Sequence, residues 1–161
     1  MDSPGAATVR AYRPATDRAW LAPMLDEGWG GPWMARRGEL LDVAALDGFV
    51  ALAGGTPAGV LTYRPDGDAT ELAFLWAFTI RRGIGTELVR TLLATVPGSV
   101  WVVTTNDNLA ALAFYEHTGF RVRSVRPGAV DDARARLKPS IPVMNANGIP
   151  CRDEVELVFE R

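Results

Sequence analysis

The stretch NDNLAALAFYEHTGF, residues 106–120, directly follows the apolar segment SVWVVTT at residues 99–105. The apolar segment has the length and composition of a strand buried on both faces, and the stretch after it is typical of a helix. Packing against a sheet does not by itself require a tyrosine at position 115, with Gly119 and Phe120 shortly after it. The two segments therefore indicate a mixed α/β domain in which Tyr115 is a candidate functional residue.

The composition is that of an ordinary globular domain. The chain has 161 residues, of which 48% are hydrophobic and 22% charged, and its formal charge is −2. This charge gives no electrostatic reason to bind nucleic acid or an anionic membrane, and no apolar run approaches the roughly 18 residues that span a bilayer. We expect one domain over residues 1–161, with a loose tail at 1–7 and an irregular late loop at 129–152.

The chain contains one cysteine, Cys151, and one histidine, His117. A single cysteine excludes an internal disulfide, and this pair is too small for a His/Cys metal centre, so we expect no metal site. His117 lies two residues after Tyr115 and should point to solvent, and Cys151 has no base partner nearby in sequence. The first ten residues lack the basic-then-apolar pattern of a signal peptide, which favours a cytoplasmic protein.

Hydrophobic periodicity predicts the order β, α, α, three antiparallel strands, α, β, α, β, loop, β. The first helix opens at Pro14-Ala15-Thr16-Asp17, and a second, short helix is expected near 35–46. The remaining expectations are strands at 9–12, 49–54, 58–64, 71–78, 99–105, 121–126 and 153–160, and helices at 84–96, 106–117 and, as an option, 130–138.

A glycine-containing turn, Arg81-Arg82-Gly83-Ile84-Gly85, joins a predicted strand to a predicted helix. Glycines let the backbone approach an anion, the first helical N–H groups are unpaired, and arginines bind phosphate oxygens. The turn does not match the dinucleotide-binding fingerprint, because Leu88 occupies the position of its third glycine or alanine. It does not match a nucleoside-triphosphate-binding loop either, because no Gly-Lys-Ser/Thr follows. These five residues alone are equally consistent with a simple strand-to-helix turn that binds no anion, so this alternative stays open.

Taken together, the turn and the opening stretch resemble the GNAT superfamily of N-acetyltransferases, which use acetyl-CoA. The first family signature, Gln or Arg, two residues, Gly, one residue, then Gly or Ala, corresponds to residues 80–85, with Ile80 at the polar position. The second corresponds to Asn108, Ala111, Tyr115 and the Gly119-Phe120 pair. The resemblance covers about residues 8–128.

The resemblance implies an α/β (mixed α+β) fold with a central, mixed, mostly antiparallel sheet. Helices flank this sheet, and it is splayed between its fourth and fifth strands, ELAFLWAF and SVWVVTT. In the implied acetyl-CoA site, the backbone of Leu75, Trp76, Ala77 and Phe78 would pair with the pantetheine arm. The N–H groups of Arg81, Arg82, Gly83, Ile84, Gly85 and Thr86 would bind the diphosphate, and Asn108, Ala111 and Tyr115 complete the site.

The resemblance also assigns chemistry to two residues. Tyr115 would donate a proton to the departing thiolate, and Asn108 would cap its helix and bind the CoA arm. Glu71 is the best-placed carboxylate for a general base, with a surface strand glutamate as the open alternative and Asp68 as a weaker candidate. Holding the amine and thioester together needs no dedicated base, which is a further alternative.

The acceptor side is predicted from the segment GWGGPWMARRG, residues 28–38. Trp29 and Trp33 would wall an apolar pocket and Arg37 would bind an acceptor carboxylate, or else the tryptophans belong to the core.

The expected function is transfer of acetyl from acetyl-CoA to a primary amine of a small molecule by direct attack in a ternary complex. The alternatives are a CoA-binding regulatory module whose catalysis has lapsed, which Ile80 favours, and an acceptor on a protein N-terminus, a lysine or a tRNA. A homodimer stays open.

Overall fold

The computed structural model of the chain describes residues 7–79 and 83–161. Its helices are α1 (Pro14–Trp29), α2 (Ile84–Thr95), α3 (Leu109–His117) and α4 (Ala129–Arg136). Its strands are β1 (Thr8–Tyr12), β2 (Trp33–Arg36), β3 (Glu39–Asp42), β4 (Asp47–Ala53), β5 (Thr56–Asp66), β6 (Ala69–Ala77), β7 (Val100–Thr105), β8 (Arg121–Arg126) and β9 (Glu154–Phe159). None of the helices in the described ranges is long and apolar enough to cross a bilayer.

Seven strands form one sheet in the order β1-β4-β5-β6-β7-β9-β8. Neighbouring strands are antiparallel except for β6 and β7, which are parallel and pair only at Thr70–Val100 and Glu71–Trp101. Beyond these two pairs the strands diverge. The predicted mixed, mostly antiparallel sheet, splayed between the ELAFLWAF and SVWVVTT strands, is therefore confirmed.

The two faces of this sheet are covered by different helices. Side chains alternate between the faces along a strand, so Val50 and Val60 join one core while their neighbours Ala51 and Leu61 join the other. The first core contains Leu21 of α1, and the second contains side chains of α2 and α3. Helices therefore flank both faces, as the sequence predicts.

A bulge interrupts β6 just beyond its last pair with β7. Leu72 lies opposite Tyr63, but Phe74 lies opposite Thr62, so Ala73 is an extra residue with no partner on β5. Because one extra residue reverses the alternation, Glu71 and Phe74 point to the same face. The bulge bends β6 where it separates from β7, and this opens the gap in the sheet.

The predicted helix near 35–46 is wrong. The segment forms the antiparallel hairpin of β2 and β3, followed by a single 3₁₀ turn at Val43–Ala45. The two-residue turn is Arg37-Gly38, and both residues have left-handed φ angles of 50° and 77°. Left-handed φ angles at both turn residues match the twist of a β-hairpin. The tertiary contacts of this turn, described below, outweigh the helical propensity of its residues.

The α1 helix begins at Pro14, as predicted, and the start of α3 differs from the prediction. At α1 the Asp17 carboxylate accepts a hydrogen bond of 2.7 Å from the Arg13 backbone N–H, which precedes the helix. The α3 helix begins at Leu109, three residues later than the predicted 106. The late loop predicted at 129–152 contains α4, and the remainder includes one isolated bridge between Met144 and Pro150.

Candidate active site

A cavity of about 800 Å³ lies where β6 and β7 separate. Its walls come from the C-terminal end of α1, the β2 strand, the facing edges of β6 and β7, the start of α3, one face of α4 and the segment 138–154. Beyond the last β6–β7 pair, Leu72 and residues 74–77 of β6 pair only with β5, and residues 102–105 of β7 pair only with β9. Alternate backbone N–H and C=O groups of both strands therefore point into the gap and are available to an extended ligand.

Tyr115 lies on α3 and lines this cavity. Its side chain is 6% exposed, and its ring packs edge-on against Phe114 and Phe120. Burial raises the pKa of the Tyr115 phenol well above its usual value, so the group stays protonated at any working pH. The structure therefore places a neutral phenol, able to donate a hydrogen bond, at the wall of the gap.

Asn108 holds the start of α3 in place. It is the N-cap residue, and its side-chain oxygen accepts a hydrogen bond of 3.1 Å from the Ala111 N–H. Both residues line the cavity. The predicted capping role of Asn108 is confirmed, and a contact of Asn108 or Ala111 with the CoA arm stays a prediction.

The start of α2 is where the sequence predicts an anion site, and anion binding there stays a prediction. Gly83 is the N-cap residue, with a left-handed φ of 68° that favours glycine. The Ile84 side chain is buried in the core, so only its backbone N–H is available, and a Cβ on Gly85 would lie 3.2 Å from the Phe114 ring. Thr86 is half-buried and borders a small second cavity beside His117. Ile80 and the predicted ligands Arg81 and Arg82 lie outside the described residues.

The four predicted pantetheine-binding residues of β6 and its end have different surroundings. Leu75 lines the cavity. Trp76 and Phe78 stack edge-on with ring centroids 4.8 Å apart, in an aromatic cluster against α1. Ala77 pairs with Gly59, and the Phe78 N–H donates to the Ala58 carbonyl. The side chains of Trp76, Ala77 and Phe78 do not line the cavity, so binding of CoA by these residues would use their backbone groups.

Glu71 lines the cavity but is held by two arginines. The Arg36 guanidinium donates two hydrogen bonds of 2.8 Å, one to each oxygen, and Arg64 Nε donates a third of 2.7 Å to Oε2. The Glu71 side chain is 1% exposed. Three charge-assisted hydrogen bonds occupy most of the lone pairs that a general base would use, so the surroundings of Glu71 argue for a structural role.

The three predicted acceptor residues do not come together. Trp29 lines the cavity, with its ring centroid 5.2 Å from that of Phe74. Trp33 is 51% exposed and lies neither in the core nor among the residues that line the cavity. Arg37 also lies outside the lining: its guanidinium stacks on the Trp101 ring at 4.6 Å. In the hairpin the cavity-lining arginine is Arg36, and binding of an acceptor carboxylate by Arg37 stays a prediction.

The turn of the β2–β3 hairpin is fixed by carboxylates on β9 that the sequence analysis missed. The Arg37 N–H lies 3.0 and 3.1 Å from the two oxygens of Glu154, and Arg37 Nε lies 3.8 Å from Glu156. Arg126 binds both of these carboxylates from β8. The alternation of DEVELVFE is the signal that places Glu154 and Glu156 on one face of the strand, opposite Val155 and Leu157.

The segment after α4 is attached to the hairpin side of the cavity. The Lys138 ammonium donates hydrogen bonds of 2.8 Å to the carbonyl oxygens of Trp29 and Trp33, and burial lowers the pKa of this ammonium. Arg134 donates to the carbonyls of Ile141, Pro142 and Cys151. These contacts make the segment a wall of the cavity.

The Cys151 thiol also lines the cavity and is mostly buried. Burial and the nearby Asp107 carboxylate raise the pKa of this thiol to about 11, so it is not a thiolate at neutral pH and is a poor nucleophile. His117 is exposed, as predicted. Within the described ranges no three His, Cys, Asp or Glu side chains are grouped to hold a metal ion.

Comparisons with known proteins agree with this geometry. The family model of the Acetyltransferase (GNAT) family matches residues 9–120. The chain is 39% identical over 140 residues to the uncharacterised protein YdhI of Bacillus subtilis (strain 168), a match that covers 84% of this chain and 87% of YdhI.

Two solved structures are similar in fold. The IAA acetyltransferase from Bacillus cereus ATCC 14579 superposes with a TM-score of 0.74 at 20% identity, over 97% of this chain and 100% of that one. A GNAT family acetyltransferase from Elizabethkingia anophelis with acetyl-CoA bound superposes with a TM-score of 0.69 at 18% identity, over 96% and 98%. At these identities the two structures establish the fold, and the family match extends over most of the chain. The chain therefore belongs to the acetyltransferase (GNAT) family and is an N-acetyltransferase.

Proposed function

We propose that this protein moves an acetyl group from acetyl-CoA to a primary amine of a small molecule, by direct attack of the amine in a ternary complex. The observation that carries the proposal is the gap between β6 and β7, with the Tyr115 phenol at its wall. The α2 helix is the next element of the chain after β6. The acetyl-CoA bound in the Elizabethkingia anophelis relative supports the same co-substrate.

The described residues fit a CoA thioester as substrate. The unpaired backbone groups of residues 72–77 and 102–105 are suited to the amide groups of an extended pantetheine arm. The N–H groups of residues 84–86 are the first of α2 and have no acceptor within the helix, so they are suited to the diphosphate. The left-handed Gly83 keeps a side chain away from this helix end.

Tyr115 is proposed to stabilise the departing thiolate. Because burial keeps the phenol protonated, it donates a hydrogen bond to the sulfur as negative charge develops there. A thiol has a pKa of about 8.5, well below that of the buried phenol, so complete proton transfer from Tyr115 to the thiolate is unfavourable. The role therefore is hydrogen-bond donation during bond breaking, with the proton finally drawn from the ammonium or from water.

The amine loses its proton before or during the attack. A general base at Glu71 stays a prediction, against which the hydrogen bonds from Arg36 and Arg64 argue. We propose that most of the rate comes from holding the amine and the thioester in contact inside the gap. Well-oriented reactants gain effective molarities of about 10⁵ M or more, which does not require a dedicated base.

The test is acetyl-CoA-dependent release of free thiol against four acceptor classes: simple amines, amino acids, aminoglycosides and peptides with free N-termini or lysines. The proposal expects turnover with at least one small amine and none, or much less, with the peptides. Binding of CoA without turnover of any acceptor would instead support the lapsed module, and preferential turnover of peptides would support a protein acceptor.

A further inference from the structure

We infer that the Glu154 carboxylate binds the ammonium group of the acceptor. The acceptors are then cationic amines that have an apolar body and no carboxylate. The inference rests on the proposed function, because it concerns the acceptor side of the same cavity. Five charged side chains line that cavity in the described part of the chain, and their partners decide which charge is left for a ligand. They are Arg36, Glu71, Asp107, Lys138 and Glu154.

The two lining cations are already bound. The Arg36 guanidinium is paired with Glu71 through both carboxylate oxygens. The Lys138 ammonium donates to the Trp29 and Trp33 carbonyls. Neither has its charge free for an anionic group of an acceptor, so an acceptor carboxylate has no partner among the described lining residues.

Glu154 is different from Glu71 in how its two oxygens are used. Oε1 accepts hydrogen bonds from the Arg37 N–H and from Nε and Nη2 of Arg126, at 3.0, 3.2 and 3.0 Å. From the described part of the chain, Oε2 accepts only a share of the same Arg37 N–H, at 3.1 Å. The side chain is 3% exposed, so Oε2 is a buried anionic oxygen with free lone pairs in a residue that lines the cavity. A carboxylate in that state favours a cationic hydrogen-bond donor.

Arg126 does not neutralise Glu154 completely. Its Nη1 donates to Glu156 Oε1 at 3.2 Å, so one guanidinium is shared between two carboxylates. Glu156 has a second partner in Arg123, whose Nε and Nη2 lie 2.9 and 2.8 Å from Oε2. Arg37 Nε also lies 3.8 Å from Glu156, so three arginines face two carboxylates. Glu154 is therefore distinguished by the free lone pairs of its Oε2, in a residue that lines the cavity, and not by an excess of negative charge.

Asp107 is the other lining carboxylate to consider. Its Oδ1 accepts a hydrogen bond of 2.6 Å from the Thr105 hydroxyl, and the Cys151 thiol lies beside it. Asp107 is only partly buried, so water stabilises its charge more than that of Glu154. It is the weaker anchor and provides a control.

The rest of the acceptor side is apolar. Trp29 and Phe74 form an edge-on pair, and Met34, Ile141 and Pro142 contribute further apolar surface. An aromatic or aliphatic body attached to an ammonium can therefore bury its apolar surface while its cation reaches the Glu154 carboxylate.

The experiment is isothermal titration calorimetry, which measures the affinity of the CoA-saturated protein for three probes that share a phenethyl group. Phenethylamine carries the cation, 2-phenylethanol replaces it by a hydroxyl, and phenylalanine adds a carboxylate. We expect phenethylamine to bind at least about tenfold more tightly than either of the others, the order of a charge-assisted contact. Equal affinity for phenethylamine and 2-phenylethanol, or no binding of phenethylamine, would overturn the inference without any variant.

Glu154→Gln keeps the shape of the side chain and an acceptor for the Arg37 N–H, and removes the charge. We expect it to weaken phenethylamine binding about tenfold or more and to leave 2-phenylethanol unchanged. Glu156→Gln is the matched control two residues along the same face, and Asp107→Asn is the second control. An equal loss in Glu156→Gln, or a loss carried by Asp107→Asn alone, would contradict the assignment.

Melting temperature and CoA affinity are measured for every variant to confirm that each is folded. A failure of the proposed function gives a different pattern, namely a wild-type protein that releases no thiol from acetyl-CoA with any acceptor, whether or not it binds CoA. A wrong assignment of Glu154 leaves CoA binding and thiol release intact and removes only the discrimination among the three probes.

Discussion

The Arg36 guanidinium on β2 faces the Glu71 carboxylate on β6 in a two-point ion pair, with both N–O distances 2.8 Å. Arg64 adds a third hydrogen bond to Glu71, and both side chains of the pair are almost fully buried. The pair joins the hairpin that replaces the predicted helix to the sheet, at the last point where β6 still contacts β7.

The first prediction follows from this pair. Glu71→Gln removes the buried counter-charge of Arg36 and Arg64 and leaves them only the exposed Glu39. Breaking a buried ion pair costs about 3–5 kcal/mol of unfolding free energy. We expect a large fall in melting temperature, with kcat of the folded enzyme reduced less than about tenfold. Glu39→Gln, which removes an exposed partner of the same arginines, should cost under about 1 kcal/mol. A stable Glu71→Gln variant whose kcat has lost its dependence on pH would instead identify Glu71 as the base.

The second prediction concerns Tyr115. Tyr115→Phe keeps the ring between Phe114 and Phe120 and removes only the hydroxyl. We expect kcat to fall roughly 10²-fold, while the affinity for CoA and the melting temperature change little. Tyr63→Phe, on β5, is the control tyrosine and should keep full turnover. If kcat of Tyr115→Phe equals that of the wild type, the phenol has no part in the chemistry.

The third prediction tests the anion site at the start of α2. Gly83→Asp places a negative charge where the diphosphate is proposed to bind, and Gly83→Asn is its uncharged counterpart. Both side chains tolerate the left-handed φ of 68° better than others, and among residues 7–79 and 83–161 no atom beyond the chain neighbours lies within 4 Å of a Cβ at this position. We expect calorimetry to show CoA binding lost in Gly83→Asp and largely retained in Gly83→Asn. Equal CoA affinity in two folded variants would refute the site.

The fourth prediction separates the two tryptophans of the acceptor segment. Trp29→Ala removes a wall of the cavity, so it should raise KM for the amine several-fold and leave KM for acetyl-CoA unchanged. Trp33→Ala removes a half-exposed ring outside the lining, so it should change neither constant. A raised amine KM in Trp33→Ala with normal kinetics in Trp29→Ala would reverse the assignment.

The fifth prediction is a pH dependence of stability at Asp17. Hydrogen bonds from Arg10 hold the pKa of the Asp17 carboxyl well below its usual value, with smaller contributions from the Arg13 N–H and Trp20. A depressed folded-state pKa gives stability that is fully present above the unfolded pKa of about 3.9 and is lost as the pH falls below it. Asp17→Asn should therefore lower the unfolding free energy by about 2 kcal/mol at pH 7. The difference from the wild type should narrow in melts below about pH 4, and a difference that is constant with pH would contradict the prediction.

Several features of the fold follow from the sequence alone because they depend on local pattern. The alternation of the meander strands, the helical spacing of Ile84, Leu88 and Leu92, and the Asn108 cap each involve residues close together in the chain. Patterns of this kind identify elements, and the spacing of Asn108, Ala111 and Tyr115 identifies the family, whose splayed sheet the structure confirms.

Other features depend on contacts between residues far apart in sequence, and only the tertiary structure decided them. The segment 35–46 has helix-forming residues, yet it forms a hairpin because Arg36 pairs with Glu71 and the Arg37 N–H binds Glu154, 117 positions away. The same contacts occupy Glu71, move Arg37 away from the cavity and leave one oxygen of Glu154 with free lone pairs. Local propensity amounts to a few tenths of a kcal/mol per residue, whereas a buried charge without its partner costs several, so the long-range ion pairs determined both the hairpin and the polar side of the cavity.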